Sequence, residues 1–203
     1  MRIKKERIQK MKTLRIFIAS SDELNSTRQS IVEHVAKKNR MIESGGVCIQ
    51  VDIWEYMSSA IPPSGRAQDE YSKLLINDDI IAVLIKNKVG MYTREEFETA
   101  LKLREKNGKP EICVYALPPE KEEPSLGEFI KDLRPGGKYN LDYFPVKVNN
   151  DDELWNSISV ELDKLIAECK PETQAQPQNN GSFTYIERQI NTGGGGYTEN
   201  NFK

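Results

Sequence analysis

Residues 89–100 read VGMYTREEFETA and set three carboxylates, Glu95, Glu96 and Glu98, within four positions. A glutamate near the start of a helix has two chemical uses. It can reach back to the helix N-terminus as the acid of a capping box, or it can stand in a cleft as an acid, base or charge stabiliser. Thr93 and Glu96 have the capping-box spacing, so a helix predicted over 93–106 has a complete structural use for Glu96. The helical wheel supports the other use. With Glu96 at zero and about 100° per residue, Ala100 falls at roughly 40°, Phe97 at roughly 100°, Leu101 at roughly 140° and Leu103 at roughly −20°. Glu96 therefore lies inside the apolar arc, near its edge, while Glu95 and Glu98 fall outside it and read as solvated. Spacing alone leaves both uses open.

Other groups carry less. Cys48, Cys113 and Cys169 are odd in number and lack metal-ligand spacing, which reads as small hydrophobes in a reducing compartment. The single histidine, His34, stands in a helical stretch with no Cys or carboxylate pattern around it, so no metal site is expected. In the 203 residues, 29 Lys+Arg nearly balance 31 Asp+Glu, unlike the basic field of a nucleic-acid binder. No window approaches the roughly 18 apolar residues of a membrane span. The expectation is a cytoplasmic protein with no nucleic-acid or membrane partner.

The elements that must position these groups alternate. Strands are predicted at Leu14–Ala19, Val47–Trp54, Ile80–Ile85, Glu111–Leu117 and Tyr143–Val148. Helices are predicted from about 26 to Lys38, over Arg66–Ile76, Thr93–Lys106 and Leu126–Leu133, and over Glu153–Cys169. Such alternation implies right-handed crossovers and a parallel sheet covered on both faces. Five strands suit the flavodoxin-like order 2-1-3-4-5, a three-layer α/β fold. Ligands in such sheets sit outside the carboxyl ends of the strands, at the switch point between strands 1 and 3. That places Ser20–Asn25, Glu55–Gly65 and Lys86–Thr93, with Gly90 among them, at the candidate site. Residues 1–12 form a basic leader, 13–170 the α/β domain, and 171–203 a Gln/Asn/Gly-rich tail whose composition predicts flexibility.

The segments RIFIASSDELNSTR (15–28), IWEYMSSAIPPSGRAQDEYSKLLINDDIIAVL (53–84) and KVGMYTREEFETALKLREKNGKP (88–110) resemble a bacterial family of TIR-like domains that stands at the N-terminus of larger proteins with NTPase modules. The resemblance implies a relation to TIR domains and nucleoside deoxyribosyltransferases. In those folds a glutamate four residues before a small residue, on the helix after the third strand, attends the ribosyl carbon of an N-glycosidic bond. Glu96, four before Ala100, matches that position. Trp54, Tyr92, Ser20 and Ser21 could then supply the apolar wall and the hydroxyl donors that the ring and ribose need, with Gly90 a further binding residue, and Arg66 could meet a phosphate. Trp54 also suits a core, and Arg66 also suits a helix start beside Asp69 or Glu70.

The resemblance further implies an effector in bacterial defence. It would hold no permanently bound cofactor, take an NAD-type nucleotide as substrate, and have a homo-oligomer or NTPase-type defence protein as partner. A non-catalytic module that self-assembles or senses a nucleotide is the alternative. A deoxyribosyltransferase-like metabolic enzyme is a third class, against which the missing Asp-rich base-binding pattern counts.

Overall fold

The computed structural model describes residues 11–56 and 73–169. Strands β1 (Lys12–Ser20), β2 (Val47–Asp52), β3 (Ile80–Ile85), β4 (Glu111–Ala116) and β5 (Val146–Lys147) form one all-parallel sheet in the order β2-β1-β3-β4-β5. This is the flavodoxin-like order expected from the alternation. The helices are α1 (Asn25–Ile42), α2 (Met91–Asn107), α3 (Pro124–Asp132) and α4 (Asp151–Cys169). The chain divides into two units, Met1–Pro171 and Glu172–Lys203, and every described residue belongs to the first. The tail, most of the leader and most of the helix expected over 66–76 lie outside the described residues. Of the leader, Met11 and Lys12 are described, and Lys12 already belongs to β1.

The layers follow from strand alternation. In β1, Leu14, Ile16 and Ile18 face a core closed by α1 and α4, while Phe17 and Ala19 face a second core closed by α2 and α3. All six residues of β3 are buried, as a strand covered on both faces requires. Phe97 of α2 meets Phe129 of α3 edge-on at 5.2 Å, and Tyr139 joins both rings.

Two strands are shorter than expected, and for different reasons. β2 stops at Asp52, and Trp54–Tyr56 turn away as a short 3-10 helix, so Trp54 lies past the strand. β5 has only two residues instead of 143–148. Pro145 has no N–H to give a ladder, and the Tyr143 hydroxyl accepts the Val114 N–H at 3.2 Å in place of a strand carbonyl. At α3 the expected start moves back to Pro124, whose missing N–H costs nothing in a first turn. No helix among the described residues is long and apolar enough to cross a membrane.

One charged cluster is folded into the sheet beside Phe17. Arg15 of β1 reaches Asp52 at 2.6 Å and Asp78, just before β3, at 3.5 Å. Asp79 closes the start of β3 by accepting the Arg15 N–H and pairing with Lys109. The Asp78 side chain is fully buried, and neither of its oxygens has a hydrogen-bond partner among the described residues. Burial, then the adjacent Asp52 carboxylate, pushes the Asp78 carboxyl up to about 8 against the opposing pull of Arg15. The folded chain therefore holds a proton that the unfolded chain releases near the ordinary carboxylate value. Stability is greatest below that value and is lost as pH rises towards 8, by up to about 1.4 kcal/mol per pH unit. Asp78→Asn should flatten that slope. Urea midpoints at pH 5 and pH 8, for wild type and variant, check it; parallel pH dependence in the two proteins would refute the assignment.

Candidate functional site

β1 lies between β2 and β3, and the chain leaves its carboxyl end for α1 on one face, while β3 feeds α2 on the other. The crevice opens at this reversal. At this reversal lies an arginine that the loop-by-loop reading of the sequence passed over. Arg28, in the first turns of α1, is 0% exposed. Its Nη1 donates to Ser20 Oγ at 2.5 Å and to the Ser21 carbonyl at 2.9 Å. Its Nε donates to Glu55 Oε1 at 2.8 Å, and Nη2 stands 2.6 Å from the same oxygen. The Trp54 ring lies over the guanidinium, 5.4 Å from centroid to Cζ. One buried cation thus joins the ends of β1 and β2.

The signal was available. Arg28 lies three residues before Ile31 and seven before Val35, on the buried stripe of α1. The wheel that singled out Glu96 would have singled out Arg28 as well. Glu55 had no such signal, because its position depends on the turn after β2.

The expected site residues divide. Ser20 ends β1 and Ser21 follows it, but both hydroxyls are engaged: Ser20 accepts from Arg28, and Ser21 donates to Glu23 Oε1 at 3.1 Å. Trp54 is 44% exposed, so it is a surface ring over a buried charge, not a core residue. Gly90 stands beside Ser21 and Thr93. A Cβ there would lie 3.9 Å from Ser21 Cβ and 3.7 Å from Thr93 Oγ1, ordinary contacts that do not demand glycine. Tyr92 is more than half exposed at the rim, four residues before Glu96 and so on the same side of α2. Arg66 lies outside the described residues.

Glu96 is buried, at 7% exposure, whereas Glu95 and Glu98 are half-buried. The capping box does not form. α2 begins at Met91 with Gly90 as its cap, no side chain bonds at that cap, and Thr93 is a buried residue inside the first turn. Thr93, Glu96, Phe97 and Ala100 form the buried stripe, and Glu96 is recessed about 8 Å along the axis from the helix start. Glu98 is not simply solvated. It accepts from Lys138 at 2.6 Å and from the Tyr139 hydroxyl at 2.8 Å, and these partners hold its carboxyl below the usual range.

A second missed pair fixes the loops around the crevice. Glu23 Oε1 accepts the backbone N–H of Asn87 and Lys88 at 3.1 and 3.3 Å, and Oε2 accepts the Asn87 side-chain amide at 2.8 Å. Asn87 Oδ1 in turn accepts the N–H groups of Glu120 and Lys121, and its carbonyl accepts the N–H of Glu123. The loops after β1, β3 and β4 are therefore tied through one asparagine. The amides that follow β3, a ready concavity for an anion, are filled by the protein's own carboxylate.

Among the described residues no group of His, Cys, Asp or Glu could hold a metal ion. The three cysteines are free and half-buried, and His34 stacks on Trp155 at 5.1 Å.

No family model matches the chain, and no curated protein matches it. Solved structures do. The rubredoxin oxygen:oxidoreductase of Desulfovibrio gigas aligns at 15% identity and TM-score 0.41, over 79% of this chain and 37% of that one. The chain thus spans little more than a third of that relative. A CMP N-glycosidase of Clostridium botulinum, BcmB, aligns at 16% identity and TM-score 0.37, over 72% of this chain and 98% of that one. RosB, solved with its bound intermediate 8-demethyl-8-formylriboflavin-5′-phosphate, aligns at 11% identity and TM-score 0.31, over 91% and 100%. At such scores these likenesses assign no chemistry to this chain.

The loop tie generates a prediction. Asn87→Ala leaves the Glu23 carboxylate and the amides of Glu120 and Lys121 short of partners. It should cost about 2 kcal/mol by denaturant titration, with amide exchange rising in 86–90 and 118–123 together. Faster exchange in one loop alone would show that the tie does not couple them.

Proposed function

We propose that this chain is a TIR-like nucleotide-binding effector domain that cleaves the N-glycosidic bond of an NAD-type nucleotide, with Glu96 as the essential carboxylate. The observation that carries the reading is the burial of Glu96 on a helix that does not need it as a cap. A glutamate at the helix start with a capping role has a sufficient reason to be there. Glu96 is instead on the buried stripe of α2, one turn below Thr93, which borders Ser21 and Gly90 at the switch point.

The chemistry suits a carboxylate so placed. As the bond between C1′ and the pyridinium nitrogen breaks, its electron pair passes to the ring and neutral nicotinamide leaves. Positive charge grows on the ribosyl carbon, and a carboxylate stabilises that charge. Water then bonds to C1′, and its proton passes to Glu96 or solvent. Trp54 offers a flat apolar surface at the crevice mouth, and Tyr92 a second ring at the rim.

Assembly with further copies, or with an NTPase-type defence protein, is proposed with this reading as the means of switching it on. The alternative, a non-catalytic sensing module, keeps the crevice and dispenses with Glu96. Mass-spectrometric assay of NAD consumption separates the two. Wild type should release nicotinamide, and Glu96→Gln, of almost the same volume, should lower the rate by at least about a hundredfold with an unchanged circular dichroism spectrum. Turnover by Glu96→Gln at the wild-type rate would refute the catalytic role.

A further inference from the structure

We propose that Glu55 is a sugar-binding group: its carboxylate receives the ribose hydroxyls of the ligand at the switch-point crevice, with Arg28 as the positioning residue behind it. The inference rests on the reading of this crevice as a nucleoside site and names what recognises the sugar.

Two buried atoms of the Arg28–Glu55 pair are left without hydrogen bonds among the described residues. Glu55 Oε1 takes both contacts from Arg28, while Oε2 is buried with no hydrogen-bond partner among the described residues. Arg28 Nη2 is likewise buried and makes no hydrogen bond of good geometry. Buried polar atoms in folded chains are nearly always satisfied, so a carboxylate oxygen left bare at the switch point marks a place where a donor belongs. A carboxylate can accept about four hydrogen bonds, and this one spends its capacity on one side only.

Charge decides which donor. The guanidinium is neutralised by Glu55, and its Nη1 is committed to Ser20 and Ser21. It has no charge to spare for a phosphate. The amides after β3 are filled by Glu23, and the nearby Lys88 is paired with Asp22 at 3.1 Å. The described rim is therefore poor in anion-binding groups. It presents an acceptor and an aromatic face, the combination that fits an uncharged ring carrying hydroxyls. Trp54 lies over the guanidinium and is 44% exposed, so its indole is the aromatic face that a sugar bound at Glu55 would meet.

Trp54 is also the reporter. The chain has two tryptophans, Trp54 and Trp155, so in a Trp155→Phe background the indole fluorescence belongs to Trp54. Titrations with nicotinamide riboside, adenosine and their 2′-deoxy analogues measure the preference for a ribose. At least one riboside should quench Trp54 saturably and bind about tenfold or more tighter than its deoxy analogue. Glu55→Gln should abolish that preference.

Removing the counter-charge of a buried arginine can unfold the chain. The double variant Arg28→Met, Glu55→Leu replaces the pair by apolar side chains of similar size and is held to the same criterion. A preference for ribose retained in a folded Glu55 variant overturns the proposal and leaves the nucleoside site standing. Equal binding of ribo and deoxy forms by the wild type does the same. If no riboside quenches Trp54, the proposal and the nucleoside reading fall together.

Discussion

A positive charge sealed inside the protein is the constraint around which this end of the molecule is arranged. Arg28 is wholly buried, and a charge so placed is tolerable only with a counter-charge and hydrogen bonds at close range. Glu55 supplies the first, and Ser20 and the Ser21 carbonyl supply the second. That requirement brings the end of β1 and the turn after β2 onto the first turns of α1. The ends of these two strands are therefore held together by an arginine on the apolar stripe of a helix.

A second layer of polar contacts fixes the opposite wall. Glu23 and Asn87 hold three loops in one network, and Glu23 occupies backbone amides that could otherwise receive an anion. The two networks meet at Ser21, whose carbonyl accepts from Arg28 and whose hydroxyl donates to Glu23. A rigid rim and a recessed carboxylate on α2 are the arrangement expected where geometry matters more than mobility.

How much of this could be read in the residues depended on range. β3 was legible because six apolar residues in a row have no other use, and the inward turn of Glu96 followed from the wheel. The cap at Thr93 failed although its spacing was right, because a helix starts where the backbone turns helical, and Gly90, with ψ of 157°, already has the extended backbone that a cap requires. A reciprocal cap forms elsewhere: Asn150 accepts the Glu153 N–H, and Glu153 reaches back to the Asn149 N–H. Trp54 was misplaced by two residues of strand, enough to move a ring from the sheet to the surface. Glu55 and Asn87 gave no sign at all, since their partners are 27 to 64 residues away and meet only once the sheet is built.

The Tyr143 phenol on the outer side of β4 has a consequence for how far the sheet can grow. β5 pairs with Tyr115 and Ala116 alone, so the Val114 amide faces outward, and the Tyr143 oxygen already occupies it. A neighbouring chain that tried to add itself as a sixth strand would meet an aromatic ring at the position where it needs an open donor. Open strand edges invite runaway edge-to-edge association. Here a single side chain blocks the β4 side of the sheet, so that growth by a further strand is left to the opposite edge, β2.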